Sequence, residues 1–237
     1  MIDLNYAVYY NGKSSLDAGL RVEHRPVVPS SELVVTEFDI PDRDGVLHRT
    51  EGSVQDVEIP VEFAFVVDDE DLWLPKFREV TEWLYGTSDR RLIFSEEPDW
   101  FYQVFKVTIT DTPERVCWLG GRFTATFTIR GYAYSVPGAE AQTSLFNKYD
   151  TSHPIYKLSG EANTVLTVNG NTMTVNVGQA VTIDTDLMLT YRSADGVMQN
   201  TSVTGNYDDL WLKPGANTVS ATNGVTVSVI PRWRKRL

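Results

Sequence analysis

The sequence contains a single cysteine, Cys117, and three histidines. One cysteine excludes a disulfide within the chain and any metal site built from several thiolates. His24, His48 and His153 have no spacing that indicates a shared site, and neither a G-x-S-x-G nor an H-E-x-x-H motif is present. We interpret Cys117, in the run RVCWLGG, as a buried apolar thiol.

Long apolar runs and phosphate-binding loops are also missing. No segment is apolar over the length needed to cross a bilayer. The first residues, MIDLNYAVYYNGKSS, lack the basic start and apolar centre of a secretory signal. Neither G-x-x-x-x-G-K nor G-x-G-x-x-G occurs. We therefore expect synthesis in a cytoplasm, no membrane insertion and no cofactor.

Positive charge is scarce, with 21 Lys and Arg against 32 Asp and Glu and a net charge of −11. Such an acidic surface repels phosphates, so tight nucleic-acid binding over a broad face is not expected. The basic residues Arg232, Arg234 and Arg236 cluster close to the C-terminal end. They fit either a solvated tail or an electrostatic contact with an acidic neighbour.

Alternation of apolar and polar residues predicts a mainly β protein. The clearest strands place Val57, Ile59, Val61, Phe63 and Phe65, and further on Phe123, Ala125, Phe127 and Ile129, each on one face. Pro60 cannot donate a backbone hydrogen bond, which indicates an edge strand or a bulge.

One helix is predicted in the run DDEDLWLPKFREVTEWLYG. Acidic residues suit its N-terminus, Gly86 suits its C-terminus, and Pro75 fits only in the first turn. The acids that open the run are therefore interpreted as capping and solvation, not as a metal cluster.

In the second half, tight turns between short strands predict a small β-sandwich. Asn169-Gly170 and Asn223-Gly224 each stand between β-rich runs and predict hairpins, and AVTIDTDLMLTYR predicts a strand pair or one long strand. The alternation of apolar and polar residues fades between the first and second halves of the sequence. We expect a domain over residues 1–135, a connecting segment over 136–154 and a second domain over 155–237.

Two acidic stretches raise the question of chemistry. DIPDRDG, residues 39–45, lacks most ligands of a calcium loop and is interpreted as a hairpin turn. Glu96 and Glu97 are adjacent and would point to opposite faces of an extended segment, and Pro98 favours a turn. We interpret this stretch as a packing corner. Its run WFY, residues 100–102, should bury against the helix or a neighbouring subunit, while its acids stay in solvent or contact arginines.

Several stretches in order, FDIPDRDGVLHR, VEIPVEFAF, FREVTEWLYG, RRLIFSEEPDWFYQV, HPIYKLSG, VTIDTDLML, GNYDDLWLKPGANTVS and VTVSVIPRWR, resemble the distal tail proteins (Dit) of siphophages. The positions that carry this pattern are Leu92, Phe94, Pro98, Asp99, Phe101 and Tyr102 in the first half, and Asp184, Leu210, Pro214, Gly215 and Asn217 in the second. The resemblance covers nearly the whole chain.

The resemblance implies a structural virion protein, not an enzyme, at the distal end of a phage tail. Such proteins form a hexameric ring around a DNA channel, with an N-terminal β-sandwich "belt" domain that carries one helix. An outward C-terminal β-sandwich resembles galectins and carbohydrate-binding modules. The implied partners are further copies of the chain, the tail tube protein, the tail-associated tip protein and receptor-binding or baseplate proteins, with DNA only as cargo.

Two other functions are consistent with parts of the sequence. A carbohydrate-binding module would use exposed aromatics such as Tyr207 and Trp211, although both residues fit core or interdomain packing equally well. Larger relatives carry inserted sugar-binding domains, for which 237 residues leave no room. A glycoside hydrolase would use Glu96 or Glu97 as a catalytic carboxyl group.

Overall fold

The computed structural model describes residues 6–39, 41, 45–109 and 114–237. The chain forms two compact units. The first unit consists of Met1–Ala133 together with Arg236–Leu237, and the second consists of Tyr134–Lys235. The chain therefore passes from one unit to the other twice.

The regular elements are mostly strands. In chain order they are β1 Val8–Tyr10, β2 Lys13–Ser14, β3 Arg21–Val22, β4 Leu33–Phe38, β5 Leu47–Val54, β6 Val57–Val66, α1 Trp73–Tyr85, β7 Arg91–Phe94, β8 Trp100–Ile109, β9 Glu114–Arg115, β10 Gly120–Ser135, β11 Phe146–Asn147, β12 Ile155–Gly160, β13 Asn163–Val168, β14 Asn171–Asn176, β15 Gln179–Asp184, β16 Leu189–Arg192, β17 Val203–Thr204, β18 Gly215–Ala216, β19 Val219–Ala221, β20 Thr226–Ile230 and β21 Arg234–Arg236. Short 3-10 turns span Glu70–Leu72, Pro137–Ala139, Asn200–Ser202 and Asp208–Leu210.

A curled sheet builds the first unit. Across the described residues its strand order is β2-β1-β7-β8-β10-β6-β3, and β9 and β21 also pair with β10. β6 and β10 pair in antiparallel register from Val57 opposite Ile129 to Val66 opposite Gly120. Their alternate residues are buried, as the sequence pattern predicted. Pro60 lies outside the short stretch of β6 that pairs with β3, so its missing N–H leaves no gap in a ladder.

Helix α1 packs its apolar face on this sheet. Trp73, Val80, Trp83 and Leu84 are buried, and Phe77 is partly buried against the same core. Asp69 accepts a hydrogen bond from the amide of Asp71, so it caps the 3-10 turn that leads into the helix. The predicted helix, with Pro75 in its first turn and Gly86 after its last residue, is confirmed.

Strands β4 and β5 form a separate two-stranded sheet, the β4–β5 hairpin. Among the residues that the structure describes, neither strand pairs with any third strand. The interpretation of DIPDRDG as the turn of this hairpin falls largely on residues 40 and 42–44, which lie outside the described residues.

The second unit is a β-sandwich. One sheet has the order β16-β15-β12-β20 and the other has the order β17-β14-β13-β19. A core between them includes Tyr156, Leu166, Met173, Ile183 and Leu212. Asn169 and Gly170, with φ of 50° and 90°, form the predicted two-residue turn between β13 and β14. The predicted pairing of β15 with β16 is also present.

The hairpin predicted at Asn223-Gly224 is wrong. Both residues have positive φ, 57° and 72°, as a tight turn requires. However, β19 before the turn pairs with β13, whereas β20 after it pairs with β12 in the other sheet. The turn therefore crosses between the two sheets, because burial of both apolar faces decides the partner of each strand.

The predicted fold class, mainly β with one helix and a β-sandwich architecture, is confirmed. Within residues 6–39, 41, 45–109 and 114–237, no helix has the length and apolar character needed to span a membrane.

Candidate interaction surfaces

The β4–β5 hairpin exposes apolar side chains near its tip. Phe38 and Leu47 are opposite each other across the two strands and remain 42 % and 44 % exposed. Val35, Val46 and Leu33 are also exposed. A two-stranded hairpin is marginally stable in water without a third strand or a packed face. This exposed hairpin is therefore suited to contact another molecule.

The base of the hairpin is held firmly in the first unit. The amide and hydroxyl of Ser31 both donate to the carbonyl oxygen of Leu237, at 3.1 Å each. The amide of Leu237 donates to the carbonyl of Gly131 at 3.3 Å. The amide of Gln55 donates to the backbone carbonyl of Glu32 at 2.8 Å. The hairpin thus has a fixed base and the exposed apolar side chains Phe38 and Leu47 towards its other end.

A second exposed apolar surface lies at the other end of β6. We call it the Trp118 patch, and it consists of Val66, Leu72, Val116, Trp118 and Leu119. Trp118 and Val66 are each 76 % exposed. The amide of Val67 donates to the carbonyl of Leu119 at 2.8 Å, which fixes the loop against the end of β6.

Arg115 supports this patch. Its guanidinium lies 5.0 Å from the centre of the Trp73 ring and forms a 3.1 Å ion pair with Glu70.

The interpretation of Cys117 as a buried thiol is wrong, since Cys117 is exposed in this loop. The loop lies outside the strand that begins at Gly120, and the apolar neighbours Val116 and Trp118 that suggested burial are themselves exposed.

The stretch that carries the family pattern in the first half is a packing corner. Leu92, Phe94 and Tyr102 belong to the core of the first unit, with the Phe94 and Tyr102 rings 5.5 Å apart. Phe101 is 8 % exposed and lies beneath the Arg91 guanidinium, whereas Trp100 is only partly buried. Pro98 and Asp99 are exposed at the turn.

The two adjacent acids of this corner contact different groups. Tyr6 donates its hydroxyl to Glu96 at 3.3 Å, and Arg25 lies 3.5 Å from the same carboxylate. Tyr102 donates its hydroxyl to Glu97 at 3.1 Å. Burial, reinforced by the neighbouring carboxylate, raises the pKa of Tyr6 and of Tyr102. These contacts tie the turn to the core.

In the second unit, Asp184 and the partly exposed Arg232 form an ion pair. Both Asp184 oxygens accept from the guanidinium at 2.9 Å, and Oδ1 also accepts from the amides of Asp186 and Leu187. Asp184 is almost fully buried. Every partner of this carboxylate therefore belongs to the second unit, where the pair holds the end of β15 to the segment before β21.

Arg234 is also internal. Its Nε donates to the Thr151 carbonyl at 2.8 Å, and its Nη2 donates to Nε2 of His153 at 2.9 Å. The expectation of a solvated basic tail is therefore wrong for both residues, because the ion pair with Asp184 holds Arg232 and buried hydrogen bonds hold Arg234 within the unit. Arg236 is exposed.

The two aromatics considered for sugar binding have packing contacts. The indole of Trp211 stacks on the His153 ring with centroids 4.2 Å apart. Tyr207 is partly buried against the core, and its hydroxyl lies 2.9 Å from Thr190 Oγ1. One indole face and the phenol hydroxyl are thus already engaged within the unit.

The remaining family positions shape one loop. Pro214 is exposed, and Gly215 is in β18. The side chain of Asn217 donates to the carbonyls of Lys213 and Gly215 at 2.8 and 3.0 Å, and its oxygen accepts from the amide of Lys213 at 3.0 Å. Asn217 thus closes the loop, which is a structural role.

Among the described residues, Glu23, His24 and Glu62 form the one group whose ligand atoms are close enough to hold a metal ion. Glu23 already forms a 2.7 Å ion pair with Arg122, and His24 lies 2.7 Å from Glu62. We interpret the group as surface ion pairing.

Sequence reasoning missed the two exposed apolar surfaces of the first unit. The hairpin stretch was recognised only as part of the family pattern. The Trp118 patch had one usable signal, a tryptophan in a short loop that ends in two glycines.

Residues 12–129 match the phage tail protein RIFT-related domain. This part of the chain belongs to that family. The whole chain is similar in structure to the Dit protein of phage SPP1, which is described as a paradigm of the hub adsorption apparatus in phages that infect Gram-positive bacteria. That similarity has a TM-score of 0.65 at 16 % identity and covers 98 % of this chain and 99 % of that chain.

A chain of the phage P2 baseplate in its activated conformation with calcium is also similar, with a TM-score of 0.52 and 8 % identity, over 98 % of each chain. At these identities the structural similarities show a shared fold. The sequence matches no curated protein significantly. The resemblance to siphophage distal tail proteins is confirmed at the level of family and fold, and the family supports a structural role in a phage tail.

Proposed function

We propose that this chain is a distal tail hub protein, six copies of which form a ring around the channel through which DNA leaves the virion. In this proposal the first unit is the belt domain that closes the ring, and the second unit is the galectin-like domain. The observation that carries the proposal is the β4–β5 hairpin, which has a fixed base and the exposed apolar side chains Phe38 and Leu47. Such a surface supports association with another protein molecule.

The partners in this proposal are structural proteins of the same particle. One face of the ring contacts the tail tube protein and the other contacts the tail-associated tip protein, with receptor-binding or baseplate proteins attached around it. The protein forms and breaks no covalent bond. The separate partners of Glu96 and Glu97 support this view, since both carboxylates have partners that stabilise the corner.

The acidic composition supports the passage of DNA. A net charge of −11 on each copy gives a ring a strongly negative potential, which repels the phosphates of a passing duplex and prevents its adhesion.

Mass measurement of the purified chain in solution tests the proposal. We expect a species at six times 26.7 kDa, and we expect the variant Phe38→Ser/Leu47→Ser to remain folded but to lose this species. The matched control is Val197→Ser/Met198→Ser, which changes two exposed apolar residues of the second unit and should leave the hexamer intact. A wild-type chain that stays monomeric at high concentration would contradict the ring.

A further inference from the structure

We propose that Asn223 is a site of spontaneous deamidation, which the folded chain modifies faster than its other Asn-Gly pairs. The sequence contains three such pairs, Asn11-Gly12, Asn169-Gly170 and Asn223-Gly224. The backbone nitrogen of a glycine is the least shielded attacking group that a chain offers, because glycine carries no side chain. This chemistry is independent of the proposed function.

The reaction requires only water. The backbone nitrogen of the glycine loses its proton to solvent base and attacks the side-chain carbonyl carbon of the asparagine. A bond forms between these two atoms, the bond from that carbon to the side-chain nitrogen breaks, and the nitrogen leaves as ammonia. Water then opens the five-membered succinimide ring at either of its carbonyl groups. The product is aspartate or isoaspartate, each with a carboxyl group in place of the amide.

The three pairs have nearly the same backbone conformation. The asparagines have φ of 52°, 50° and 57°, and the glycines that follow them have φ of 73°, 90° and 72°. Two successive positive values are typical of a type I′ turn. Ring closure requires the peptide unit to rotate away from this turn, so each turn must open locally before it reacts. Because the three backbones are alike, differences in rate depend on what holds each asparagine.

The side chain of Asn11 is held by several groups. Its Nδ2 donates to the carbonyl oxygen of Trp83, near the end of α1, at 3.0 Å. Its Oδ1 accepts from the amides of Ser88 and Asp89 at 3.1 and 3.2 Å, and from the Ser88 hydroxyl. The residue is half-buried. This turn opens only if the segment after α1 is released as well, which makes Asn11 the slowest of the three.

Asn169 is held at both ends of its side chain. Its Nδ2 donates to Oδ1 of Asn217 at 2.7 Å, and its Oδ1 accepts from the amide of Thr218 at 2.9 Å. The turn also closes the ladder between β13 and β14, which is paired as far as Val168 opposite Asn171. Opening must break both side-chain bonds, so Asn169 is expected to react at an intermediate rate.

Asn223 is held least. It is exposed, and its Nδ2 donates to the carbonyl oxygen of Asn163 at 2.5 Å. Within the part of the chain that the structure describes, this is the one hydrogen bond of its side chain. The turn closes no ladder, because β19 and β20 pair in different sheets. The amide of Val225 reaches the Thr222 carbonyl across the turn at 3.3 Å, which is long for such a bond.

Conversion of Asn223 acts against the turn that contains it. An amide donates to the Asn163 carbonyl, whereas a carboxylate can only accept, so the two oxygens repel each other. Isoaspartate also lengthens the backbone by one carbon at the point where the chain crosses between the two sheets. We therefore expect the modified second unit to unfold at a lower temperature than the fresh one.

Peptide mapping by mass spectrometry tests the site. The full chain is incubated in mildly alkaline buffer, folded in one sample and unfolded in urea in the other, and conversion at each pair is followed in time. We expect similar rates at the three pairs in urea. In the folded chain we expect Asn223 to convert at least about tenfold faster than Asn11, because release of the Asn11 side chain breaks several hydrogen bonds.

Two variants test the cause and the consequence. Ser88→Ala removes one donor to Asn11 and should accelerate conversion there, while the rate at Asn223 in the same sample stays unchanged. Asn223→Gln removes the reactive pair, and its thermal midpoint should fall less during incubation than that of the wild type.

The order of the rates decides the outcome. Equal rates at the three pairs of the folded chain would overturn the proposal, as would faster conversion at Asn11 or Asn169. Conversion of Asn223 in urea but not in the folded chain would also overturn it, since the fold would then protect this turn.

Discussion

Phe101 and Phe105 belong to the same strand, β8, yet Phe101 is 8 % exposed and Phe105 is 42 % exposed. They are thus a matched pair for measuring what burial contributes at the corner that carries the family pattern. The Arg91 guanidinium lies above Phe101, and the Arg130 guanidinium lies above Phe105.

Phe101→Ala should lower the free energy of unfolding by about 3 kcal/mol, because it removes a large buried side chain and leaves a cavity. Phe105→Ala should lower it by less than about 1 kcal/mol, since most of the lost contact area is exposed. Urea denaturation of both variants checks the difference. Equal losses of unfolding free energy in the two variants would mean that burial of Phe101 does not stabilise the corner.

For single residues, the sequence predicted most of the buried core, but it did not predict that Arg234 is buried or that Cys117 is exposed. Val57, Phe63 and Phe127 followed simple alternation and are buried. Arg234 is buried because Thr151 and His153, distant in sequence, supply its hydrogen-bond acceptors. No local pattern encodes such a partner. Cys117 is exposed because its loop lies outside the strand that begins at Gly120, which its apolar neighbours do not reveal.

At the scale of strands and hairpins, the base of the β4–β5 hairpin packs closely against the backbone of Gly131. A Cβ atom placed there would lie 2.5 Å from the carbonyl oxygen of Gln55, 2.7 Å from Val54 Cγ1 and 2.8 Å from Ser31 Cβ. Two of these atoms belong to residues that flank the hairpin, so the side chain would push the base away from β10.

Gly131→Ala should therefore destabilise the first unit by roughly 1–3 kcal/mol, the usual range for forced overpacking. Two amides at the hairpin base should exchange with solvent faster, that of Ser31, which donates to the Leu237 carbonyl, and that of Gln55, which donates to the Glu32 carbonyl. Hydrogen exchange and thermal denaturation measure both effects. Thr124→Ala on the same strand is the control, and exchange rates no faster than in this control would contradict the prediction.

Turn chemistry was predicted more reliably than strand partners. Asn169-Gly170 and Asn223-Gly224 both adopt the positive φ values that their sequences favour. Only the first closes a hairpin, because a turn fixes the backbone over a few residues whereas a strand's partner depends on which face must be covered. For the same reason, the sequence could not indicate whether β4 and β5 form a separate two-stranded sheet or belong to a larger one.

In the whole molecule, the path of the chain was the feature that sequence patterns did not reveal. The residues that return to the first unit, Arg236 and Leu237, lie at the end of the run RWRKRL, which is basic and has no apolar alternation. Their strand, β21, pairs with β10, which lies far back in the sequence. A sequence pattern detects neighbours along the chain, whereas this pairing is set by the completed fold.

Deletion of Arg236 and Leu237 should consequently destabilise the first unit. It removes the acceptor for both donors of Ser31 and the donor to Gly131, together with an apolar side chain packed on the core. We expect a loss of about 2–3 kcal/mol, from net hydrogen-bond contributions of about 1 kcal/mol each. Denaturant unfolding, followed by exchange of the Ser31 amide, measures the loss.

Arg236→Ala is the matched control for this deletion, because it keeps the backbone of both residues. It should lose clearly less stability than the shortened chain. If the shortened chain and the Arg236→Ala variant unfold at the same denaturant concentration, the contacts of Leu237 do not contribute.

The hydrogen bonds of Leu237 with Ser31 and Gly131 also impose an order on biosynthesis. The ribosome makes the hairpin early, but it must add the entire second unit before residue 237 exists. Until then the amide and hydroxyl of Ser31, at the base of the hairpin, lack the Leu237 carbonyl as their acceptor. In the ring that we propose, nascent chains on one messenger would therefore carry an incompletely anchored hairpin, which disfavours premature joining of neighbours until each polypeptide has been made through Leu237.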